Sequence, residues 1–198
     1  MPAASPTVII TSCRDNAGQP DAMTSFDLAW GLAQILTPCG LPIVLVTDGA
    51  LRATTAASVG QTTVHQARLH TLHPLDRHIE ALVEGVLLSA HAPGWIWLPS
   101  DTPMMRPLTV STVAQSLASN PLVHAEHIQQ AGIPLGVGAE LYSELIQLGG
   151  HRDLQRFRAR YPALAVPVSD PGVVMSVAGS MRPTPQSHSL PPLRNAGR

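Results

Sequence analysis

Residues 94–107 read Gly94-Trp95-Ile96-Trp97-Leu98-Pro99-Ser100-Asp101-Thr102-Pro103-Met104-Met105-Arg106-Pro107. The first six are almost wholly apolar and rich in aromatic and branched side chains, which suits a buried strand. That strand delivers one carboxylate, Asp101, to its carboxyl end. Proline follows two residues later, then Arg106, then Pro107, a favoured first residue of a helix. Val110, Val113, Ala114 and Leu117 then recur at helical spacing. A carboxylate placed between a strand and a helix either caps and turns the chain or holds Mg²⁺, a hard cation that takes oxygen ligands and bridges to phosphates. Position alone leaves both open.

The same texture repeats on either side. Short apolar runs at 7–12, 42–47, 62–69, 121–125 and 163–168 read as strands. Between them, Phe26, Ala29, Trp30 and Ala33 predict a helix over roughly 24–36. Ile79, Leu82, Val83, Val86 and Leu87 predict a second apolar stripe. Strand–helix alternation of this kind implies an α/β fold, a mostly parallel sheet with helices on both faces. Ligands of such sheets bind at the carboxyl ends of the strands, so the residues after each strand are the candidates for function.

Composition bounds the rest. The chain has 198 residues and 44% hydrophobic residues, enough for a substantial core and one ordinary domain, expected over 1–180. From Met181 the sequence MRPTPQSHSLPPLRNAGR has four prolines and no period, and reads as a disordered tail, 181–198. The net charge of -1 shows no broad footprint for nucleic acid. Cys13 and Cys39 are too few for a disulfide framework or a zinc site. No basic segment precedes the first apolar run, and no apolar stretch is long enough for a bilayer, so the expectation is a cytoplasmic protein without a membrane partner. All twelve basic residues are arginine. Any chemistry that ordinarily uses lysine must here use something else.

After the first strand comes Thr11-Ser12-Cys13-Arg14-Asp15-Asn16-Ala17-Gly18. This is either a plain surface loop or one whose backbone N–H groups, with a bidentate Arg14, receive phosphate oxygens; the P-loop and GxGxxG patterns are absent. Asp48-Gly49 after the second strand is a turn signal or a binding residue. Gly132, Gly136 and Gly138, alternating with apolar residues, predict close backbone approach to a ligand or to a neighbouring strand. His65, His70, His73 and His78 with Asp76 fall close together, but Pro74 opposes a continuous helix there, so a surface or pH-responsive loop is the expectation over a metal site. Arg152, Arg156 and Arg160 make one basic stripe, read as a solvated face or an anion site. Met104 and Met105 are expected as core or pocket wall. No G-x-S-x-G occurs, which disfavours hydrolase chemistry.

Taken together, GWIWLPSDTPMMRPLTV, AGIPLGVGAELYSELIQLGGHRDLQRF and VSDPGVVMSV resemble the MobA-like NTP transferases of molybdenum-cofactor biosynthesis, most of all their cytidylyltransferase branch. The resemblance covers 94–177 well and 24–90 loosely. It implies a Rossmann-like, three-layer nucleotidyltransferase fold and Mg²⁺-dependent transfer of CMP or GMP from CTP or GTP to a molybdopterin-type acceptor, with release of pyrophosphate. Asp101 takes the place of the metal-binding, catalytic Asp. Ser12, Cys13, Arg14, Gly18 and Asp48 fall in the nucleotide-binding part, and Gly132, Pro134 and Gly136 on the acceptor side, where the family has a glycine-histidine-proline turn. The chain departs from the pattern in three ways. Its opening IITSCRDNAGQPDAM replaces LAAGxSxRMG and the following lysine, Ile133 replaces the turn's histidine, and 175–179 lack the late carboxylate or amide. A transition state that loads charge onto a leaving pyrophosphate loses stabilisation with each such group. The alternative expectation is a catalytically silent homologue that binds cofactor or helps mature a molybdoenzyme.

Overall fold

The computed structural model describes residues 5–13, 25–48 and 61–175. Its strands are β1 (Thr7–Ser12), β2 (Ile43–Thr47), β3 (Thr62–Gln66), β4 (Gly94–Pro99), β5 (Leu122–His127), β6 (Gln130–Gly138) and β7 (Leu164–Pro167). The helices are α1 (Ser25–Leu36), α2 (Pro74–Leu88), α3 (Pro107–Leu117), the single turn α4 (Tyr142–Leu145) and α5 (His151–Arg160). The strands form one sheet in the order β3-β2-β1-β4-β6-β5-β7. β6 runs antiparallel to both its neighbours, and the other pairings are parallel.

Every residue of β1, β2 and β4 is buried, as the unbroken apolar runs require of strands covered on both faces. Alternate residues feed two cores. Val8, Ile10, Ile43, Leu45, Ile96 and Leu98 pack with α1 and α3; Ile9, Val44, Val46, Trp95 and Trp97 pack with α2 and α5. The result is the α/β three-layer arrangement expected from the alternation. Within α2, Ile79, Leu82 and Val86 are buried while Leu87 is 48% exposed, so the stripe is one residue narrower than its spacing suggests. Met105 is buried and Met104 faces solvent. Arg152, Arg156 and Arg160 are exposed on α5. Among the described residues no helix is long and apolar enough to cross a membrane.

Helix α2, after the edge strand β3, and α3, after the central strand β4, both open on proline, Pro74 and Pro107. Pro74 therefore separates His70 and His73 from the helix. The Glu80 carboxylate reaches back to accept the N–H groups of His70, at 2.8 and 3.0 Å, and of Thr71, at 3.0 Å, which fixes that turn. The Gly132–Pro134 segment is not a turn. It lies inside β6, where three residues face one residue of β5: Leu135 pairs with His124 and Ala131 with Glu126.

Candidate functional site

The chain leaves β1 for β2 on one side and later places β4 on the other, so the sheet reverses direction of growth between β1 and β4. That crevice, at the carboxyl ends, is the usual ligand position in open α/β sheets. Ser12 and Cys13 flank it from β1; Ser100, Asp101 and Thr102 flank it from β4. Backbone bonds past the strand ends hold the two sides in register, with Ser100 N–H donating to Thr11 O at 2.9 Å and Asp48 N–H donating to Ser12 O at 3.4 Å. Ser12, Thr47, Ser100 and Thr102 are all buried, so the edge is a row of hydroxyls. Thr102 donates to Pro99 O at 2.8 Å, closing the turn that carries the half-buried Asp101. The Ser12 hydroxyl is fully buried and has no hydrogen-bond partner among the described residues. A buried hydroxyl left unsatisfied is costly, and a ligand oxygen at the crevice is one physical reason to keep it. Cys13 is buried and packs in the core with residues of α2. Arg14 and Gly18 lie outside the described residues.

The first turns of α2 clamp this edge through three consecutive side chains. Asp76 accepts His151 N–H of α5 at 2.7 Å. Arg77 forms an ion pair with Asp48 at the end of β2. His78 Nδ1 lies 2.9 Å from Thr11 Oγ1, near the end of β1, and Thr11 also accepts the Trp97 indole N–H at 3.0 Å. Asp48, expected as a turn or nucleotide-binding residue, thus orients an arginine.

Asp170, after β7, is 2% exposed and engaged on both oxygens. One accepts Arg106 N–H at 3.0 Å and the Thr109 hydroxyl at 2.6 Å; the other accepts Gly172 N–H at 3.0 Å, with Arg106 Nε at 3.9 Å. It joins the start of α3, five residues beyond Asp101, to the 170–173 turn. That turn closes on Gly132, where any Cβ would run into the Val173 carbonyl. At Gly136 a Cβ would come within 2.5 Å of Val123. Close packing accounts for both glycines, and Pro134 stands beside them in the same strand after a cis peptide bond. The segment nevertheless borders the carboxyl edge, because β6 begins there.

The donor set can be tested against a metal. Among the described residues no three His, Cys, Asp or Glu side chains come together to hold an ion. One carboxylate, Asp101, with neutral hydroxyls around it, fits a hard cation that keeps its waters and arrives with a polyphosphate; it does not fit a resident, protein-caged metal. Arg77, Thr11, Trp97 and Asp170 are not legible as site residues, and His78 is legible only as one of the histidine group. Their partners are 29 to 86 positions away in the chain, so no local pattern betrays them.

No protein-family model matches the sequence, and no curated protein matches it. Solved structures do. Rv0371c from Mycobacterium tuberculosis H37Rv is similar at a TM-score of 0.68 and 17% identity, over 85% of this chain and 90% of that one. A complex of Rv0371c with manganese is similar at 0.61. A nucleotidyl transferase from Methanothermobacter matches at 0.59 and 15% identity over 87% and 91% of the two chains. CMP:2-keto-3-deoxy-manno-octonic acid synthetase complexed with CTP matches at 0.55 and 15% over 83% and 90%. At such identities the likeness is one of architecture, and the chain has the Rossmann-like α/β fold of the nucleotidyltransferases.

Proposed function

We propose that the chain is a nucleotidyltransferase that transfers CMP or GMP from CTP or GTP to a molybdopterin-type acceptor, through the single domain 1–180. The observation that carries the reading is the crevice between β1 and β4, with Asp101 just past the end of β4 and, at the end of β1, a buried Ser12 hydroxyl that has no hydrogen-bond partner among the described residues. Structural relatives that include a CTP complex and a manganese complex support a triphosphate and a divalent cation there. The acceptor rests on the MobA-like resemblance of 94–177.

In this reading Asp101 is the residue that would hold a Mg²⁺ ion arriving with the triphosphate. The cation would neutralise charge developing on the leaving pyrophosphate. Ser12 donates to a phosphate oxygen, and the backbone after β1, with Arg14 and Gly18, completes the nucleotide side. The start of β6, from Gly132 through Pro134 to Gly136, borders the acceptor. Asp48 acts through Arg77 and not by direct contact. One observation favours the second reading, a silent homologue that keeps the fold to bind cofactor or a molybdoenzyme. Asp170, the carboxylate nearest the missing late ligand, is consumed by structural hydrogen bonds, so Asp101 has no second protein carboxylate beside it from that loop.

A thermal-shift series with CTP, GTP, ATP and UTP, each with and without Mg²⁺, separates the two. A ligand at about 100 times its Kd adds roughly 2.7 kcal/mol, several degrees in Tm. The transferase reading expects a Mg²⁺-dependent shift with CTP or GTP that Asp101→Ala abolishes, followed by pyrophosphate release with acceptor. No shift with any nucleotide rejects it and leaves the binding module.

A further inference from the structure

Helix α5 carries charge that its own fold does not balance. Four of the seven described arginines lie within its ten residues. Leu154 and Phe157 are buried in the core, whereas Arg152, Arg156 and Arg160, one turn apart in succession, are exposed. Arg156 reaches Asp153 at 3.3 Å, the one ion pair of the helix among the described residues. Arg152 and Arg160 have no carboxylate partner among those residues. Arg158, half-buried, lies close enough to His124 of β5 for its charge to oppose protonation there.

A helix face that meets only water usually interleaves the two signs. Opposite charges four residues apart support the helix, and like charges four apart oppose it. α5 places like charges there twice, from Arg152 to Arg156 and from Arg156 to Arg160. The helix dipole favours Arg158 and Arg160 in the last turn but disfavours Arg152 in the first. Helix stability therefore accounts for Arg160 and leaves the row as a whole unexplained. A matching row of negative charge brought from outside would relieve it.

We propose that the exposed face of α5 is a docking surface for an acidic segment of another protein, one whose carboxylates recur about every 6 Å, the rise of four helical residues. Each guanidinium offers a planar fork that takes a carboxylate on two N–H groups. The chain has an acidic row of its own at that spacing, Asp76, Glu80 and Glu84 on α2. Two of its members are already engaged: Asp76 accepts His151 N–H, and Glu80 accepts His70 and Thr71 N–H. A second copy of the chain would have to break those bonds, so the partner is a different protein. The other exposed residues of α5 are Gln155 and Ala159. They give no aromatic face on which bases could stack and no large apolar side chain to enter a bilayer. The surface does not depend on the activity proposed for the crevice.

The test is a titration of the ¹⁵N-labelled full chain at low salt, followed by ¹H–¹⁵N correlation of the backbone and of the arginine Nε–H groups. The probe is a capped helical peptide of about twenty residues with glutamates at three positions four apart. A control peptide has the same composition with its glutamates on different faces. Wild type is expected to bind the first peptide more tightly than the control, with shifts centred on α5. Combining Arg152→Gln with Arg156→Gln should weaken binding about tenfold. Arg68→Gln, exposed and outside the helix, should leave it unchanged. Added salt should weaken the wild-type complex. No binding, equal binding of the two peptides, or shifts centred away from α5 overturns the proposal without any variant having to fold. Unchanged affinity in the folded double variant overturns it as well. Tighter binding at α5 of an oligouridylate or of phosphatidylserine vesicles than of the peptide also overturns it, in favour of nucleic acid or membrane.

Discussion

Replacing Asp170 should unfasten the site from its scaffold, and the size of the effect follows from its bonds. The carboxylate is 2% exposed and accepts from Gly172 N–H, Arg106 N–H and the Thr109 hydroxyl. Hydrogen bonds to a charged group contribute about 1.5–3 kcal/mol each before compensation. In Asp170→Ala two of the three donors find relief. Thr109 can turn its hydroxyl to a carbonyl of its own helix, and Arg106 lies at an exposed position where water reaches. Gly172 is buried, and its N–H stays unpaired at about 1–3 kcal/mol. Sparing the burial of a carboxylate offsets part of the loss. The net expectation is about 3 kcal/mol for Asp170→Ala and roughly half that for Asp170→Asn, which keeps one acceptor oxygen. Urea unfolding reads this as a lower midpoint at unchanged m, and a thermal melt as a drop of about 6–12 °C for the alanine variant. Because Thr109→Val removes one of the same bonds, the double variant should lose less than the two singles combined. An Asp170→Ala protein within about 0.5 kcal/mol of wild type, or strict additivity with Thr109→Val, would refute the picture of Asp170 as the joint between α3 and the 170–173 turn.

Two further outcomes concern regions away from the crevice. The two-residue link between β5 and β6 places Ile128 at φ 50° and Gln129 at φ 61°, the left-handed region that a tight hairpin requires and that Asn-Gly fills with least strain. Ile128 is 84% exposed and gives the core nothing, so Ile128→Asn with Gln129→Gly should raise stability by about 1–2 kcal/mol; a lower melting temperature would count against it. Burial strips water from His124, the Arg158 cation reinforces the effect and Glu126 opposes it, so the folded protein holds the His124 proton less tightly than the ordinary value of 6.5. The unfolded chain therefore takes up a proton below about pH 6.5 that the folded chain refuses, and stability falls from there down to the depressed folded value. The loss in urea midpoint between about pH 7.5 and pH 5.5 should be smaller in His124→Gln than in wild type, and an equal loss would place the titration elsewhere.

How much the sequence discloses depends on how local the cause is. The strands at 7–12, 42–47 and 94–99 are legible because each is an unbroken apolar run, and the helices because their stripes recur every three to four residues. β6 is not legible in the same way. Its residues AGIPLGVG carry the punctuation of a loop, and the glycine at 136 makes sense only when Val123 lies across from it. Asp101 stands out because an apolar strand ends beside it. Asp170 looks like any turn aspartate before Pro-Gly, and nothing nearby in sequence announces Thr109, 61 residues earlier, as its partner.

The absence of lysine shows the same contrast between composition and placement. Composition alone makes twelve arginines the obvious replacements for a missing cation. Placement engages two of the described ones, one firmly and one loosely. Arg77 is an ion pair with a side chain of β2, and Arg106 leans on a carboxylate whose other bonds build the fold. Moving the Arg77 guanidinium to a phosphate would take a cation away from the buried Asp48 carboxylate, which is costly, whereas the Arg106 guanidinium, mostly exposed and 3.9 Å from Asp170, is held only loosely because other bonds already satisfy that carboxylate.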